Sequence, residues 1–174
     1  GGGRAAGPCL DGHLICAGGT ELLKAGKLRA IPYLIGSTSQ DVMPPMIHKM
    51  AAAWARAQAD QGKRDSYCWF FDRQLPGDDC GAWHSSDLWY WFGTLSNCWR
   101  PMMPQDHALS AQMAGYLTNF AKTGDPNGDG LSRWEAMSRN QHLINRMGEA
   151  PTHMASVHML PLIKTMLTNK AVGE

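Results

Sequence analysis

The chain has 174 residues, one domain's worth, with a formal net charge of +1 and only 18% charged residues. A chain this long buries a sizeable core. Its Lys and Arg are scattered rather than striped, so no nucleic-acid footprint is present. No charged-then-apolar leader and no apolar run near 18 residues occurs, so neither a signal peptide nor a membrane span is expected.

The five cysteines, Cys9, Cys16, Cys68, Cys80 and Cys98, are odd in number and show no CxxC spacing. That pattern suggests neither a disulfide framework nor a zinc site, and free thiols fit a reducing cytoplasm. Seven Trp and eleven Met add large apolar surface. They fit either an ordinary compact domain or a piece whose other half covers part of that surface. The start, GGGRAAG, reads as truncated, processed or added, and is set aside.

Residues 7–12 (GPCLDG) form a turn-rich entry, and residues 22–28 carry weak helical character. Residues 31–36 (IPYLIG) read as a short buried strand, followed by a polar loop that ends at Asp41. From residue 46 to 61 the pattern is helical. Met46, Met50, Ala53, Trp54 and Ala57 recur at three- and four-residue steps, and Gly62 stops the run. Residues 66–72 (SYCWFFD) read as an aromatic strand, and residues 75–81 as a long turn. Residues 87–93 suit helix or extended chain. Ser110 is the predicted cap of a second long helix, with Met113, Leu117 and Phe120 on one face and Lys122 and Gly124 at its end. Residues beyond Trp134 are less regular, apart from a helix expected at 159–169.

Strand, helix, strand, helix over about 90 residues predicts an α/β fold with parallel pairing. Function in such folds gathers just past the C-terminal ends of the strands. Asp41 and His84 both stand there. An acid and then a histidine, each on a loop after a strand, match the last two members of a serine-hydrolase triad. Histidine takes the serine proton and returns it to the leaving group, and the acid fixes the imidazole tautomer. No G-x-S-x-G elbow occurs in the chain; Ser37, Ser39, Ser85 and Ser86 lie outside any such motif.

Competing readings are local. Asp87, three residues past His84, reads as a helix-start or loop-bonding carboxylate, and Asp72 as a partner of Arg73 or of solvent. Residues 125–130 (DPNGDG) satisfy the first half of an EF-hand loop. Position twelve, however, is Ala136, Glu135 comes one residue early, and Pro126 is ill-suited to that loop. No metal is therefore expected.

In chain order, GPCLDG, IPYLIGSTSQD, CWFFDRQLPGDDCGAWHSSDLWYWFG and LTNFAKTGDPNGDGLSRW resemble segments of the type B carboxylesterases, the family of the cholinesterases and para-nitrobenzyl esterases. The resemblance covers nearly the whole chain. It implies that Asp41 is the triad acid, where most of the family has Glu, and that His84 is the base. It also implies that residues 125–130 form a structural turn. The stretch between acid and histidine is short for the family. Gly1–Gly3 look like a piece of its oxyanion loop, but that loop lies far upstream of the acid.

The expected architecture is thus the C-terminal portion of an α/β-hydrolase fold over residues 1–174: short parallel strands with flanking helices, the N-terminal half of the sheet absent. The expected role is to supply the general base and its orienting acid, without the nucleophile, to a carboxylic ester hydrolase. The alternative is an inactive esterase-like module used for binding or assembly. No cofactor is expected. The expected partners are an N-terminal half, a small ester, and a second copy through an open sheet edge. Trp83, Trp89 and Phe92 are candidates to line a substrate pocket, and most other Trp residues are assigned to the core.

Overall fold

A computed structural model describes residues 9–138 and 143–156. Its sheet has four strands in the order β1-β2-β3-β4: β1 (Tyr33–Thr38), β2 (Ser66–Phe71), β3 (Leu143–Met147) and β4 (His153–Ser156). The first three are parallel, and β4 runs antiparallel to β3. Helices α1 (Gly19–Lys24), α2 (Pro44–Asp60), α3 (Leu88–Trp91) and α4 (Pro104–Thr123) surround it, with a 3₁₀ turn at Leu95–Asn97. None of the helices described is long and apolar enough to cross a membrane.

Two cores sandwich the sheet, because side chains alternate along β2. Cys68 and Phe70 point toward α2 and pack on Ala51, Ala52 and Ala55. Tyr67 and Phe71 point the other way and pack with Tyr90 and Trp91 of α3 and with Leu109, Met113 and Tyr116 of α4. This is the layered α/β arrangement that the strand–helix alternation implies. Trp91 and Trp134 are buried, as expected of core tryptophans, whereas Trp99 is exposed.

Helix α2 starts at Pro44 and Pro45, whose fixed φ suits the first turn. It ends at Gly62, which takes φ +61° while Lys63 N–H reaches back to Gln58 C=O. Only part of the predicted stripe faces the sheet: Trp54 and Ala57 are half-buried, and Trp54 packs edge-on to Tyr33 of β1. Met46, Met50 and Ala53 are exposed, and the buried face is His48, Ala51, Ala52, Ala55 and Gln58. Small alanines let the helix lie close to the strands, so the larger methionines turn outward.

The start of α4 also differs from expectation. It begins at Pro104, and the Asp106 carboxylate accepts the Met103 N–H at 2.7 Å. Ser110 lies inside the helix and donates to Tyr90 C=O at 3.0 Å instead of capping. Gly124 closes α4 at φ +81°. Strands β3 and β4 occupy sequence that looked irregular. The helix expected at 159–169 and the glycines 1–3 lie outside the described residues.

Asp72 does not pair with Arg73. Its carboxylate accepts from Arg146 of β3 at 2.6 Å, and Arg73 pairs instead with Asp106 at 2.7 Å. The parallel register sets Phe70 beside Arg146, so an acid just past the end of β2 meets an arginine one strand over.

Residues 125–130 serve as a structural turn. Asp125 accepts from the Asn127 backbone at 2.9 Å and from its side chain at 2.7 Å. Asn127 in turn clasps the backbone of Trp134, accepting at 2.7 Å and donating at 3.0 Å. Trp134 is thereby held edge-on to Tyr67 and Tyr116 in the core.

His48 is a buried histidine on α2, edge-on to Phe70 with ring centroids 5.0 Å apart. Neither ring nitrogen has a hydrogen-bond partner. Burial pushes its pKa down to about 4, against 6.5 for the free side chain. The unfolded chain therefore binds a proton that the folded one rejects. Stability is full above about pH 6.5 and falls as pH drops toward 4, by about 3 kcal/mol from this group. Denaturant unfolding from pH 7 to 4.5 should show that slope, and His48→Leu should flatten it.

Candidate active site

Strands β1 and β2 set the geometry of the site. Their parallel ladder runs from Tyr33 beside Ser66 to Thr38 beside Phe71. Beyond the strands the two loops stay linked. Ser39 N–H donates to Phe71 C=O at 2.8 Å, and Gln40 N–H donates to Ala82 C=O at 2.9 Å. Gln40 and Trp83 form an isolated parallel bridge. The next residue on each side is Asp41 and His84, so the ladder itself brings acid and histidine together across 43 positions of chain.

His84 Nδ1 lies 2.7 Å from Asp41 Oδ1. Asp41 Oδ1 also accepts the Val42 N–H at 2.8 Å, and Oδ2 accepts the Thr38 hydroxyl at 3.3 Å. Burial raises the Asp41 pKa, but the Val42 amide, the His84 ring and the Thr38 hydroxyl together outweigh it and hold the carboxyl below its ordinary range. An ionised carboxylate only accepts hydrogen bonds. Nδ1 must therefore carry the proton, which leaves Nε2 of neutral His84 as a base. The Asp41 side chain is 9% exposed and that of His84 is 65% exposed. The acid is thus anchored in the protein and the imidazole is presented at the surface.

Backbone strain flanks the histidine. Ser85 takes φ +70°, a left-handed conformation that non-glycine residues seldom adopt. Gly81 takes φ +66°, and a Cβ there would lie 2.4 Å from the Gln40 side chain. Gln40 can swing aside, but the backbone conformation stays costly for an L-residue. Gly81→Ala should therefore lower stability by about 1–2 kcal/mol. It should also weaken the low-field proton resonance of the His84–Asp41 hydrogen bond in an NMR spectrum.

Asp87 is buried and does not compete for His84. It accepts the Trp91 indole N–H at 3.0 Å, one turn along α3. Burial raises its pKa, and the nearby Asp41 charge adds to that rise. Trp83 and Trp89, on either side of this segment, pack edge-to-face with centroids 5.6 Å apart. Phe92 ends α3 and is 66% exposed, so the three candidate pocket residues do not form one closed wall. Thr38, Gln40 and Gly81 were not singled out from the sequence, and Ser85 only as a serine outside any elbow motif. Gly81, three residues before His84 in a turn-rich run, was the only signal for any of them.

Fold and site together define an α/β-hydrolase-type unit. Solved structures share this fold. Geobacillus stearothermophilus carboxylesterase EST55 superposes with a TM-score of 0.68 at 22% identity, over 86% of this chain and 42% of that one. A PNB esterase gives 0.55 at 21% identity, over 65% of this chain and 23% of that one. The model of the carboxylesterase family matches residues 43–161, and the chain belongs to that family. Human bile salt-activated lipase is 37% identical over 100 residues, which is 55% of this chain and 13% of the lipase. Dog carboxylesterase 5A is 45% identical over 40 residues, 23% of this chain and 7% of that protein. The match thus spans only a small part of the length of these curated relatives.

Proposed function

We propose that this chain supplies the base and orienting acid of a carboxylic ester hydrolase, with the nucleophile and oxyanion donors contributed by an upstream segment. The observation that carries this reading is the 2.7 Å contact between His84 Nδ1 and Asp41 Oδ1, set by the β1–β2 register. His84 Nε2 takes the proton of the serine hydroxyl as that oxygen attacks the ester carbonyl. It then passes the proton to the departing alkoxide. In the second half-reaction it does the same for water. Asp41 keeps the imidazole in the Nδ1–H tautomer and stabilises the imidazolium that forms. The names of the relatives, lipase and carboxylesterase, support carboxylic esters as the substrate class.

Two further observations support an upstream partner. Among the described residues β1 has a neighbour on one side only, which leaves a parallel edge ready to pair. Beside that edge, α1, α2 and β1 enclose an apolar groove of about 530 Å³ lined by Leu23, Ile35, Ile47, Met50 and Trp54. Relatives far longer than this chain match it over a small part of their length, so an N-terminal half of the same fold is the occupant that suits the groove.

The test compares the chain alone with the chain joined to, or co-expressed with, an upstream segment bearing G-x-S-x-G, using a chromogenic short-chain ester. The chain alone should show no turnover, since loss of a nucleophile costs on the order of a million-fold in comparable sites. The joined form should hydrolyse the ester, and Met50→Lys should weaken its assembly. A stable joined protein without activity would instead support the binding-module alternative.

A further inference from the structure

We infer that Ser85 is a positioning residue, whose left-handed backbone fixes a tight turn that aims the His84 ring at Asp41. Two observations define the turn. Ser86 N–H donates to Trp83 C=O at 3.0 Å, which closes residues 83–86. Ser85 takes φ +70°, and among the described residues it is the one residue other than glycine with positive φ, so the φ of His84 is negative. A negative φ followed by a positive one makes a type II turn, with His84 at the first corner and Ser85 at the second. The second corner normally holds glycine or asparagine, because the Cβ of other L-residues is crowded at positive φ.

Both ends of this turn are pinned. Trp83 is tied to Gln40 by the bridge that extends the β1–β2 ladder. Past the turn, Ser86 and Asp87 are buried, and Asp87 accepts the Trp91 indole N–H. Leu88 N–H returns to Ser85 C=O at 3.2 Å and leads into α3. The chain therefore has two residues, His84 and Ser85, in which to present a ring to solvent and then enter the core. A side chain at the corner of a turn projects away from the chain. His84 stands there, exposed, while its Nδ1 still reaches Asp41 Oδ1 at 2.7 Å.

The competing conformation is a type I turn with the same ends. In it the His84–Ser85 peptide is flipped and the φ of residue 85 is negative, as serine prefers. The flip moves the His84 carbonyl carbon, and with it the direction of the Cβ bond, so the ring leaves its place. Because the pinned ends fit both turns, they do not choose between them. The His84–Asp41 bond does, since it is made in the type II form. Backbone strain persists where surrounding contacts hold it, and it gathers at functional sites. The residue at position 85 therefore sets how firmly acid and base are paired.

This inference extends the reading of His84 as a base, but its first test needs only the pair. In the chain itself, the low-field proton resonance of the His84–Asp41 hydrogen bond is followed by NMR in Ser85→Gly, Ser85→Ala and Ser85→Val. Glycine relieves the crowded Cβ, so its resonance should persist to a higher temperature than in the wild type. Alanine drops only the hydroxyl, so its resonance should match the wild type. A β-branched residue is an outlier at this φ, so valine should abolish the resonance while thermal unfolding stays cooperative. In the joined protein, valine should lower kcat by about a hundred-fold with KM little changed, as for a reacting group displaced by about 1 Å. An undiminished resonance with valine, or one lost with alanine, would overturn the inference. Should the valine variant fail to fold, a glycine resonance no more persistent than the wild type would overturn it. A joined wild type without ester turnover would count against the ester-hydrolase reading alone, and the NMR series would still decide the role of Ser85.

Discussion

In the joined, active protein, His84→Ala should lower kcat for a short-chain ester by at least about a thousand-fold while KM changes little. General-base catalysis is worth roughly 10²–10⁴, and losing the histidine of a complete triad costs more. The geometry explains why no other group takes over. The nearest competitor, Asp87, is buried and its carboxylate is committed to the Trp91 indole. Asp41→Asn should cost about 10⁴-fold at neutral pH, because an amide can hold the ring in the wrong tautomer. Asp41→Glu should retain more activity than Asp41→Asn, since it keeps a charge to face Nδ1. Circular dichroism and thermal unfolding of the His84 variant should match the wild type, because that ring is 65% exposed and packs little. Full activity in His84→Ala would end the assignment.

The second large effect is structural. Asp106 is fully buried at the start of α4 and serves three donors at once: Arg73 Nε at 2.7 Å, the Tyr90 hydroxyl at 2.8 Å and the Met103 N–H at 2.7 Å. Burial raises its pKa, but these three donors outweigh that and hold the carboxyl below its ordinary range. Asp106→Ala strands a buried phenol, a largely buried guanidinium and a helix N-terminal amide. The expected loss is about 3–5 kcal/mol of unfolding free energy, measured by denaturant titration. Asp106→Asn should lose less, because an amide oxygen can still accept from Tyr90 or Met103. The same carboxylate sets a pH dependence. Its contribution is present above about pH 4, the unfolded value, and is lost as pH falls through the lower folded one.

The two strands that carry the site were legible because each is a short apolar run closed by a polar turn. The helix between them was legible from its period, though of the predicted stripe only Trp54 and Ala57 are turned partly inward. Alanine signals burial weakly and methionine signals it strongly, so Met46 and Met50, which looked like core, are left outside while Ala51, Ala52 and Ala55 are buried. Strand β3 escaped notice because Asn145 and Arg146 break its apolar run; the register supplies Arg146 with Asp72, a partner invisible in sequence. Ser110 looked like a cap because it precedes an apolar face, while Pro104 and Asp106 held the real start signal. The acid–histidine pair was legible from chain order and loop position. What held the pair in place was not: the Gln40–Trp83 bridge and the Ser39 and Gln40 amide bonds that link the two loops beyond the strand ends. Only the fold reveals that the β1–β2 ladder continues past the strand ends.

The most direct measurement is covalent labelling of the joined protein with a fluorophosphonate, which reacts only with an activated serine. The label should appear on the G-x-S-x-G serine of the upstream segment and on no serine of residues 9–156. Its rate should fall by about a hundred-fold or more in His84→Ala. Label on a serine within this chain, or an undiminished rate without His84, would contradict the account.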